Sequence, residues 1–358
     1  MKKERQLNFE VLRIISMFLI VIFHYSDWGG LIHIENSTAN RLLGDFINIG
    51  GRLGVNLFIL ISGYFLIESK FKVKKLLKLG FEILFYSVFL TIIALVFKMN
   101  NIGVKQIIKA FLPISYNFYW FATTYIVMYI LSPFINKLVN NISKEQHKIL
   151  LIILLVITSA IPTILINSNI ATSNLMWFIC MYVVSAYIRK YDIQSFKTNK
   201  TYLIISIILV IAMFGISVFS FEIKNYIPFV KKLEIYFNRM NMLPMLMLSI
   251  SIFMYFKNKE IYKGRKIISI LASSSFAVYL IHIHPSIRGY LFNNILNIKS
   301  YYETNTIILF LYIISTAILI YVTSVLIDFI RKKILEEPIF RIKKFDKYFD
   351  KIDKIMDI

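Results

Sequence analysis

Cysteine is nearly absent from this sequence, and histidine is rare. The 358 residues include one cysteine, Cys180, and five histidines. A single thiol excludes a disulfide within the chain and any metal site built from cysteines, so we expect no metal and assign Cys180 to helix packing. The sequence also shows no internal repeat, which argues against a transporter built from inverted repeats.

Acidic residues are scarce beside the basic ones. The chain has 20 Asp and Glu against 41 Lys and Arg, a formal net charge of +21. In a soluble protein this excess would suggest nucleic acid as a partner. Here the basic residues lie between long apolar runs, where they act as topology signals in membrane proteins. We therefore expect no nucleic-acid partner.

Apolar residues dominate what is present. They make up 58% of the chain, and the mean hydropathy is +0.67. They occur in runs of about 20 residues, the length that crosses a bilayer as a helix. The sequence therefore predicts an all-α polytopic membrane protein with about ten spans, at residues 8–25, 52–68, 77–97, 117–136, 148–166, 173–188, 202–221, 240–256, 267–285 and 306–330.

The distribution of Lys and Arg predicts the topology. Most of them fall on the cytoplasmic side if the N-terminus is cytoplasmic, as the positive-inside rule requires. The chain opens with a basic Met-Lys-Lys stretch, as signal peptides do, but Arg13 interrupts the apolar run and no small-residue cleavage site follows. We expect the first span to stay attached and both termini to be cytoplasmic.

The segments between spans are short, so the chemistry should lie among the helices. We predict one membrane domain over residues 8–330 and a cytoplasmic amphipathic tail over 331–358 that lies on lipid. The abundance of Ile, Lys, Asn, Phe and Tyr is typical of an AT-rich bacterial genome. We therefore expect the bacterial plasma membrane as the location; the oligomeric state stays open.

Arg13 and His24 are the most informative pair. They lie eleven residues apart in the first span, which on a helix is within about 20° of three full turns and a rise of about 16 Å. Both side chains therefore share one face, and an ionisable group inside a span indicates a functional site. Glu10, one turn before Arg13, is the expected ion-pair partner. The alternative is that Glu10 and Arg13 only reach the interface and His24 caps the helix.

Five segments resemble, in order, the acyltransferase-3 family of integral-membrane acyltransferases. The first is FEVLRIISMFLIVIFHY, in which ten residues separate Arg13 from His24. The second is GVNLFILISGYFL, which carries Ser62 and Tyr64. The others are YWFATTYIVMYILSPFIN, which includes Trp120, then SSSFAVYLIH, which includes Ser275, Tyr279 and His282, and finally EEPIF. The resemblance covers nearly the whole chain.

The resemblance implies transfer of an acyl group, usually acetyl, from cytosolic acyl-CoA to a hydroxyl of a cell-surface or lipid-linked glycan. Two features depart from the family pattern. Many members carry an Arg-x-x-Arg pair after the second span, where this chain has Lys75 and Lys78, and lysine binds phosphate as a point charge rather than a fork. The sequence YLIHIHP offers both His282 and His284, of which His282 fits the family spacing.

We assign roles on this basis. His24 is the predicted general base, because an imidazole near neutral pH can activate a hydroxyl. Arg13, Lys75 and Lys78 are predicted to bind the phosphates of acetyl-CoA. Substrate contacts or oxyanion donors are expected from six side chains: Ser62, Tyr64, Trp120, Ser275, Tyr279 and His282.

Each of these assignments has a structural alternative. Small residues such as Ser62 and the serines around Ser275 also let membrane helices pack closely, and Trp120 could anchor the span at the interface. At the level of function, a transporter or flippase for a sugar or a lipid-linked intermediate is the alternative to an enzyme. A purely structural anchor would leave the intramembrane Arg13 unexplained.

The topology leads to a first test. Reporter domains fused after Lys257 and after Tyr302 should lie on opposite sides of the membrane, because one predicted span separates them. Alkaline phosphatase and green fluorescent protein fusions at each site measure this. Signals from the same side at both sites would contradict the ten-span topology.

Overall fold

Every described element in the computed structural model is a helix, which confirms the all-α prediction. The structure describes residues 6–36, 38–165, 173–194, 196, 198–234, 236–342 and 346–356, and within them it contains no strand. The α-helices are α1 (Leu7–Asp27), α2 (Ala39–Leu66), α3 (Val73–Val96), α4 (Val104–Phe111), α5 (Trp120–Asn140), α6 (Lys144–Leu155), α7 (Ile161–Ile164), α8 (Asn174–Lys190), α9 (Asn199–Ile223), α10 (Leu243–Lys257), α11 (Arg265–Ser273), α12 (Ser275–His282), α13 (Arg288–Tyr290), α14 (Thr306–Arg331), α15 (Glu337–Phe340) and α16 (Asp346–Met356).

Each of the ten predicted spans coincides with a helix, but only part of the set could cross a bilayer by length and composition alone. Among the described residues, seven helices meet both conditions. The other three predicted spans are α8, with 17 residues, α10, with 15, and the α11/α12 pair, which is interrupted at Ser274. At 1.5 Å per residue, α8 and α10 are shorter than a hydrocarbon layer of about 30 Å. The count of ten is therefore approximate.

The second predicted span begins earlier than expected. Helix α2 starts at Ala39 instead of residue 52, and Thr38 caps it by accepting a hydrogen bond from the Arg41 amide. The polar first half of α2 is buried because Arg41 forms ion pairs with Asp45 and with Glu234. A hydropathy pattern misses this half, since its charges are neutralised by residues distant in sequence.

The tail packs back onto the bundle. The Asp353 carboxylate of α16 accepts hydrogen bonds from the Val73 amide and the Lys72 ammonium at the start of α3. Lys74 pairs with Asp346 in the same way. Residues 1–5, 343–345 and 357–358, and residue 166 at the end of the predicted fifth span, lie outside the described residues. An amphipathic tail on the lipid surface stays a prediction.

Helices α1 and α2 form the centre of the bundle and cross at close range. Gly54 of α2 makes the approach possible: a Cβ at this position would overlap the Ser16 backbone oxygen of α1 and lie 2.8 Å from Ile20 Cγ1. The obstacle is backbone, which cannot rotate aside. Gly80 of α3, in contrast, has no atom within 4 Å of such a Cβ. The two glycines form a matched pair.

We expect Gly54→Ala to lower the stability of the protein and Gly80→Ala to leave it unchanged or raise it. Overpacking at Gly54 should cost about 1–3 kcal/mol, whereas alanine at Gly80 gains helix propensity of up to about 1 kcal/mol. Thermal unfolding of the two purified variants in detergent measures the difference. Equal melting temperatures would contradict the close α1/α2 contact.

Candidate active site

A cavity opens at the end of the bundle where α1 begins, which we call the N-terminal side. Its volume is about 680 Å³. It is lined by residues of α1, α2, α3, α5, α8, the α11/α12 break and the segment after α14: Gln6, Glu10, Arg13, Phe58, Ser62, Phe65, Lys75, Leu79, Phe121, Tyr125, Arg189, Ala272, Ser273, Ser275, Phe276 and Lys332. The chain thus brings residues more than 300 positions apart to one chamber.

The lining is strongly basic. Four cations face the cavity, namely Arg13, Lys75, Arg189 and Lys332, and Glu10 is the one carboxylate in the lining. Arg13 Nη1 donates to Glu10 Oε1 at 2.6 Å across one turn of α1. Glu10 is almost enclosed, with 5% of its side chain exposed, while 28% of Arg13 is exposed. Glu10 therefore orients Arg13 toward the opening and leaves part of its guanidinium available to a ligand.

Arg189 is a cavity cation that sequence reasoning missed, because it directly follows a predicted span, where basic residues act as topology signals. Its guanidinium donates to both Glu68 carboxylate oxygens, at 2.7 and 2.6 Å, and to Tyr64 Oη at 3.0 Å. It also lies 4.7 Å from the centre of the Tyr64 ring. Tyr64, predicted as a substrate contact, is buried and holds Arg189 in place.

The two predicted lysines separate. Lys75 lines the cavity, with its Nζ 5.2 Å from the centre of the Tyr129 ring. Lys78 lies one turn further along α3, outside the cavity lining, and donates to Glu336 at 3.1 Å. Lys332 is in the lining instead, anchored to Asp328 at 2.6 Å. The second lysine of the cavity lining is thus Lys332, from the C-terminal part of the chain, and not Lys78.

Two predicted serines reach the cavity wall. Ser62 lines the cavity, and no hydrogen bond of its hydroxyl is found in the described part of the chain. Ser275 also lines it, but its Oγ is shared with Tyr321 Oη at 2.9 Å and with the Leu271 carbonyl at 3.4 Å. Ser62 is therefore available to a ligand, whereas Ser275 supports the α11/α12 break.

Aromatic rings connect the cavity to the buried interior. Phe121 and Phe276 form its inner wall, and the Tyr279 ring lies 5.4 and 6.2 Å from their centres. Tyr279 in turn lies 6.4 Å from the His282 ring and 6.2 Å from the Tyr119 ring. The hydroxyl of Tyr119 is buried without a hydrogen-bond partner among the described residues, and the O–H of Tyr279, whose oxygen lies near the Phe121 backbone, has no acceptor there. Buried polar groups of this kind usually mark a place that a ligand or water occupies.

His24 and His282 meet beyond Tyr279 as a hydrogen-bonded pair. His24 Nδ1 lies 3.1 Å from His282 Nε2, and His282 Nδ1 lies 2.6 Å from the Val278 carbonyl oxygen. A carbonyl only accepts, so His282 Nδ1 carries a proton, and with a neutral ring its Nε2 accepts from His24 Nδ1. A neutral His24 then has its lone pair at Nε2, which makes no hydrogen bond to any described residue.

The second histidine of the YLIHIHP segment has a different position. His284 Nε2 lies 3.1 Å from the Ser87 carbonyl oxygen, and its Nδ1 accepts from the Ser286 amide at 3.1 Å. Both ring nitrogens are thus used to hold the loop after α12 against α3. Of the two histidines left open by the sequence, the structure brings His282 to His24 and uses His284 for packing.

Two further arginines lie beyond the histidine pair, on the side opposite the cavity, which we call the far side. Arg52 Cζ lies 5.9 Å from the Phe23 ring centre and 5.8 Å from that of Trp120. Arg288 Cζ lies 3.9 Å from the Trp28 ring. Both are near enough to interact electrostatically with His24. Sequence reasoning missed both. Arg52 is the first residue of the second predicted span, which in the structure begins earlier, and Arg288 lies in the predicted loop after residue 285.

Comparisons with known proteins identify the chain at the level of the family. A family model described as an acyltransferase domain matches residues 6–325. The match includes every side chain of the cavity except Lys332, and both histidines of the pair. No curated protein and no solved structure matches the chain.

Proposed function

The chain belongs to the acyltransferase-3 family and is a multi-pass membrane acyltransferase, and from this premise we propose that it transfers an acetyl group from cytosolic acetyl-CoA to a hydroxyl of a cell-surface or lipid-linked glycan. The proposal rests on one observation above all. The His24–His282–Val278 hydrogen-bond chain leaves His24 Nε2 as a lone-pair acceptor in the interior of the bundle. A general base needs this arrangement.

The proposed donor site is the basic cavity. Its cations match the several phosphate charges of CoA, and Arg13, which uses one of its nitrogens on Glu10, has further N–H groups that can donate to phosphate oxygens. The rise along α1 from Arg13 to His24 is about 16 Å, which is close to the reach of an extended pantetheine arm. Phosphates held by Arg13 and Lys75, with the charges of Arg189 and Lys332 nearby, thus allow the thioester to lie beside the histidine pair.

In the proposed reaction His24 Nε2 accepts the proton of the acceptor hydroxyl while its oxygen attacks the thioester carbonyl. The C–S bond then breaks, and the CoA thiolate receives the proton from the His24 imidazolium, so atoms and charge balance. His282 supports the base, since its Nε2 accepts from His24 Nδ1 throughout and fixes the ring. Charge developing on the carbonyl oxygen needs fixed donors, and the unpartnered Tyr279 hydroxyl is our assignment for that role.

The crowding around His24 favours a small acyl group. Phe23 and Phe292 lie 5.0 and 6.3 Å from the His24 ring, centre to centre, and crowd the space around it. Transfer directly between bound donor and acceptor also requires no carrier that crosses the membrane. We assign the protein to the bacterial plasma membrane, with both termini and the basic cavity on the cytoplasmic side and the glycan at the far side.

Removing single cavity cations should weaken donor binding. Arg13→Ala and Lys75→Ala should each raise the Kd for acetyl-CoA about tenfold or more, since a hydrogen bond to a charged group contributes about 1.5–3 kcal/mol. Arg13→Lys should also bind poorly, because it loses the planar fork. Calorimetry on the detergent-solubilised protein measures these affinities.

Lys74→Ala serves as the matched control for donor binding. Lys74 is a neighbour of Lys75 that pairs with Asp346 away from the cavity. Its replacement removes the same charge and should leave acetyl-CoA affinity unchanged. Wild-type affinity in a folded Arg13→Ala protein would remove the donor site from this cavity.

His24→Gln should abolish transfer while donor binding persists. Loss of a general base lowers the rate by at least about 10²-fold, and the amide cannot accept a proton in this way. Acetylation of surface glycans, followed by mass spectrometry in cells with and without the variant, measures it. His33→Gln is the control, because His33 is exposed and outside the pair.

Kinetics and a search for an acetylated His24 distinguish two chemical routes. Direct transfer requires donor and acceptor to be bound together. An acetyl-imidazole on His24 would instead give double-displacement kinetics and an acetylated peptide when acetyl-CoA is added without acceptor. Such an adduct would replace direct transfer, and substantial activity in His24→Gln would contradict both routes.

A further inference from the structure

Arg52 and Arg288, the two arginines of the far side, have no acidic partner. Neither makes an ion pair within 4.0 Å, or any hydrogen bond through its guanidinium, to the described residues. Other enclosed arginines do pair: Arg41 with Asp45, Arg189 with Glu68 and Arg331 with Asp328. Each unpaired guanidinium leaves five N–H donors in a fixed plane.

Aromatic rings lie against both side chains. Arg288 packs on the Trp28 ring at 3.9 Å, and Arg52 lies within cation–π range of Phe23 and Trp120. Stacking orders a guanidinium while leaving the N–H groups at its edge free to bind an anion. The two arginines are thus positioned in advance for a ligand that the protein itself does not supply.

Asp27 is the carboxylate whose charge acts on this pair. It lies one turn after His24 on α1 and interacts electrostatically with both arginines. It forms no direct ion pair with either one in the described structure. One carboxylate near two guanidiniums leaves a net positive charge beside the proposed base. Because Asp27 does not contact either guanidinium, it leaves space for a ligand.

The positive charge continues outward from Arg288 into a groove. A second cavity, of about 490 Å³, is lined by Arg288 together with Lys105 and Lys109 of α4, and no acidic residue lines it. The loop carrying Arg288 is rigidly attached there, since Gln106 donates to Ser286 Oγ at 2.7 Å. Tyr116 and Phe118 add aromatic surface.

We infer that the acceptor is an anionic glycan, held by its carboxylate or phosphate groups on Arg52, Arg288 and the Lys105/Lys109 groove so that a neighbouring sugar hydroxyl reaches His24. This inference rests on the proposed function and specifies its substrate class. Guanidinium pairs bind carboxylate and phosphate in a bidentate manner, and rings such as Tyr116 suit the faces of sugars. A neutral glycan would leave the guanidinium donors unused in a partly dry site.

Direct binding tests the inference. The purified protein in zwitterionic nanodiscs is titrated with tetragalacturonate, with a glycerol-phosphate tetramer and with neutral maltotetraose, while acetyl-CoA binding is measured in parallel. We expect one or both anionic oligomers to bind at least tenfold more tightly than maltotetraose, with affinity that falls as salt rises. Which oligomer binds distinguishes carboxylate from phosphate.

Variants locate the site. Arg52→Gln and Arg288→Gln should each weaken anionic-oligomer binding about tenfold, and Arg288→Lys should recover only part of it. Lys299→Gln removes a charge on an exposed far-side residue outside the groove and should change nothing. Acetyl-CoA binding should persist in all four, which shows that they are folded.

Three outcomes would overturn the inference: equal binding of neutral and anionic oligomers, wild-type anion affinity in Arg288→Gln, or binding restricted to phosphatidylglycerol added to the nanodisc, which would make the groove a lipid site. These outcomes with intact acetyl-CoA binding leave the proposed function standing. If the wild-type protein does not bind acetyl-CoA, the proposed function itself is contradicted.

Discussion

The hydrogen bond between His24 Nδ1 and His282 Nε2 is the contact on which the rest of this site depends. It joins α1, which carries the donor-side Arg13, to α12, which carries Tyr279. It also fixes where the protons lie. Because the Val278 carbonyl can only accept, His282 carries its proton on Nδ1, and His24 donates its own proton from Nδ1 to His282 Nε2. The free lone pair of His24 is thus a consequence of a backbone carbonyl that lies one turn before His282 on α12. Any other partner for His282 Nδ1 that could donate would allow the opposite tautomer and remove the base.

The bundle separates two basic regions by an apolar middle. One end of α1 lies in the cavity with four cations, and the other lies between Arg52 and Arg288. Two such regions would repel each other through a low-dielectric interior if they were close. Helix α1 keeps them apart, because Arg13 and Trp28, the residue that stacks on Arg288, are separated by a rise of about 22 Å. Their charges are offset locally: Asp328 and Glu336 offset the cations around Lys332, and Asp27 partly offsets the far side. The histidine pair lies between them, against the rings of Phe23, Phe292 and Tyr279.

Much of this arrangement follows from the sequence, and the rest does not for identifiable reasons. The ten helical segments, the shared face of Arg13 and His24, and the Glu10 partner follow from hydropathy and helical spacing, which are local properties. The early start of α2 does not, because its charges are neutralised by residues such as Glu234, far along the chain. Arg189, Arg288 and Lys332 carry no local mark that separates them from topology signals. Likewise, the sequence of α3 does not indicate that Lys75 faces the cavity while Lys78 faces Glu336. The reason is that Glu336 lies near the other end of the chain.

The unpartnered groups of the interior explain why the site has its present form. Within the described residues, Tyr119 and Tyr279 each bury an O–H group that has no acceptor, and a buried unsatisfied group costs about 1–3 kcal/mol. Phenylalanine would fill both positions without that cost, so packing alone gives no reason for tyrosine. The hydroxyls flank the route from the cavity to His282, where a carbonyl oxygen of the donor would pass. Substrate binding would therefore satisfy donors that folding leaves unsatisfied, and this stabilisation would be gained at the point where negative charge develops.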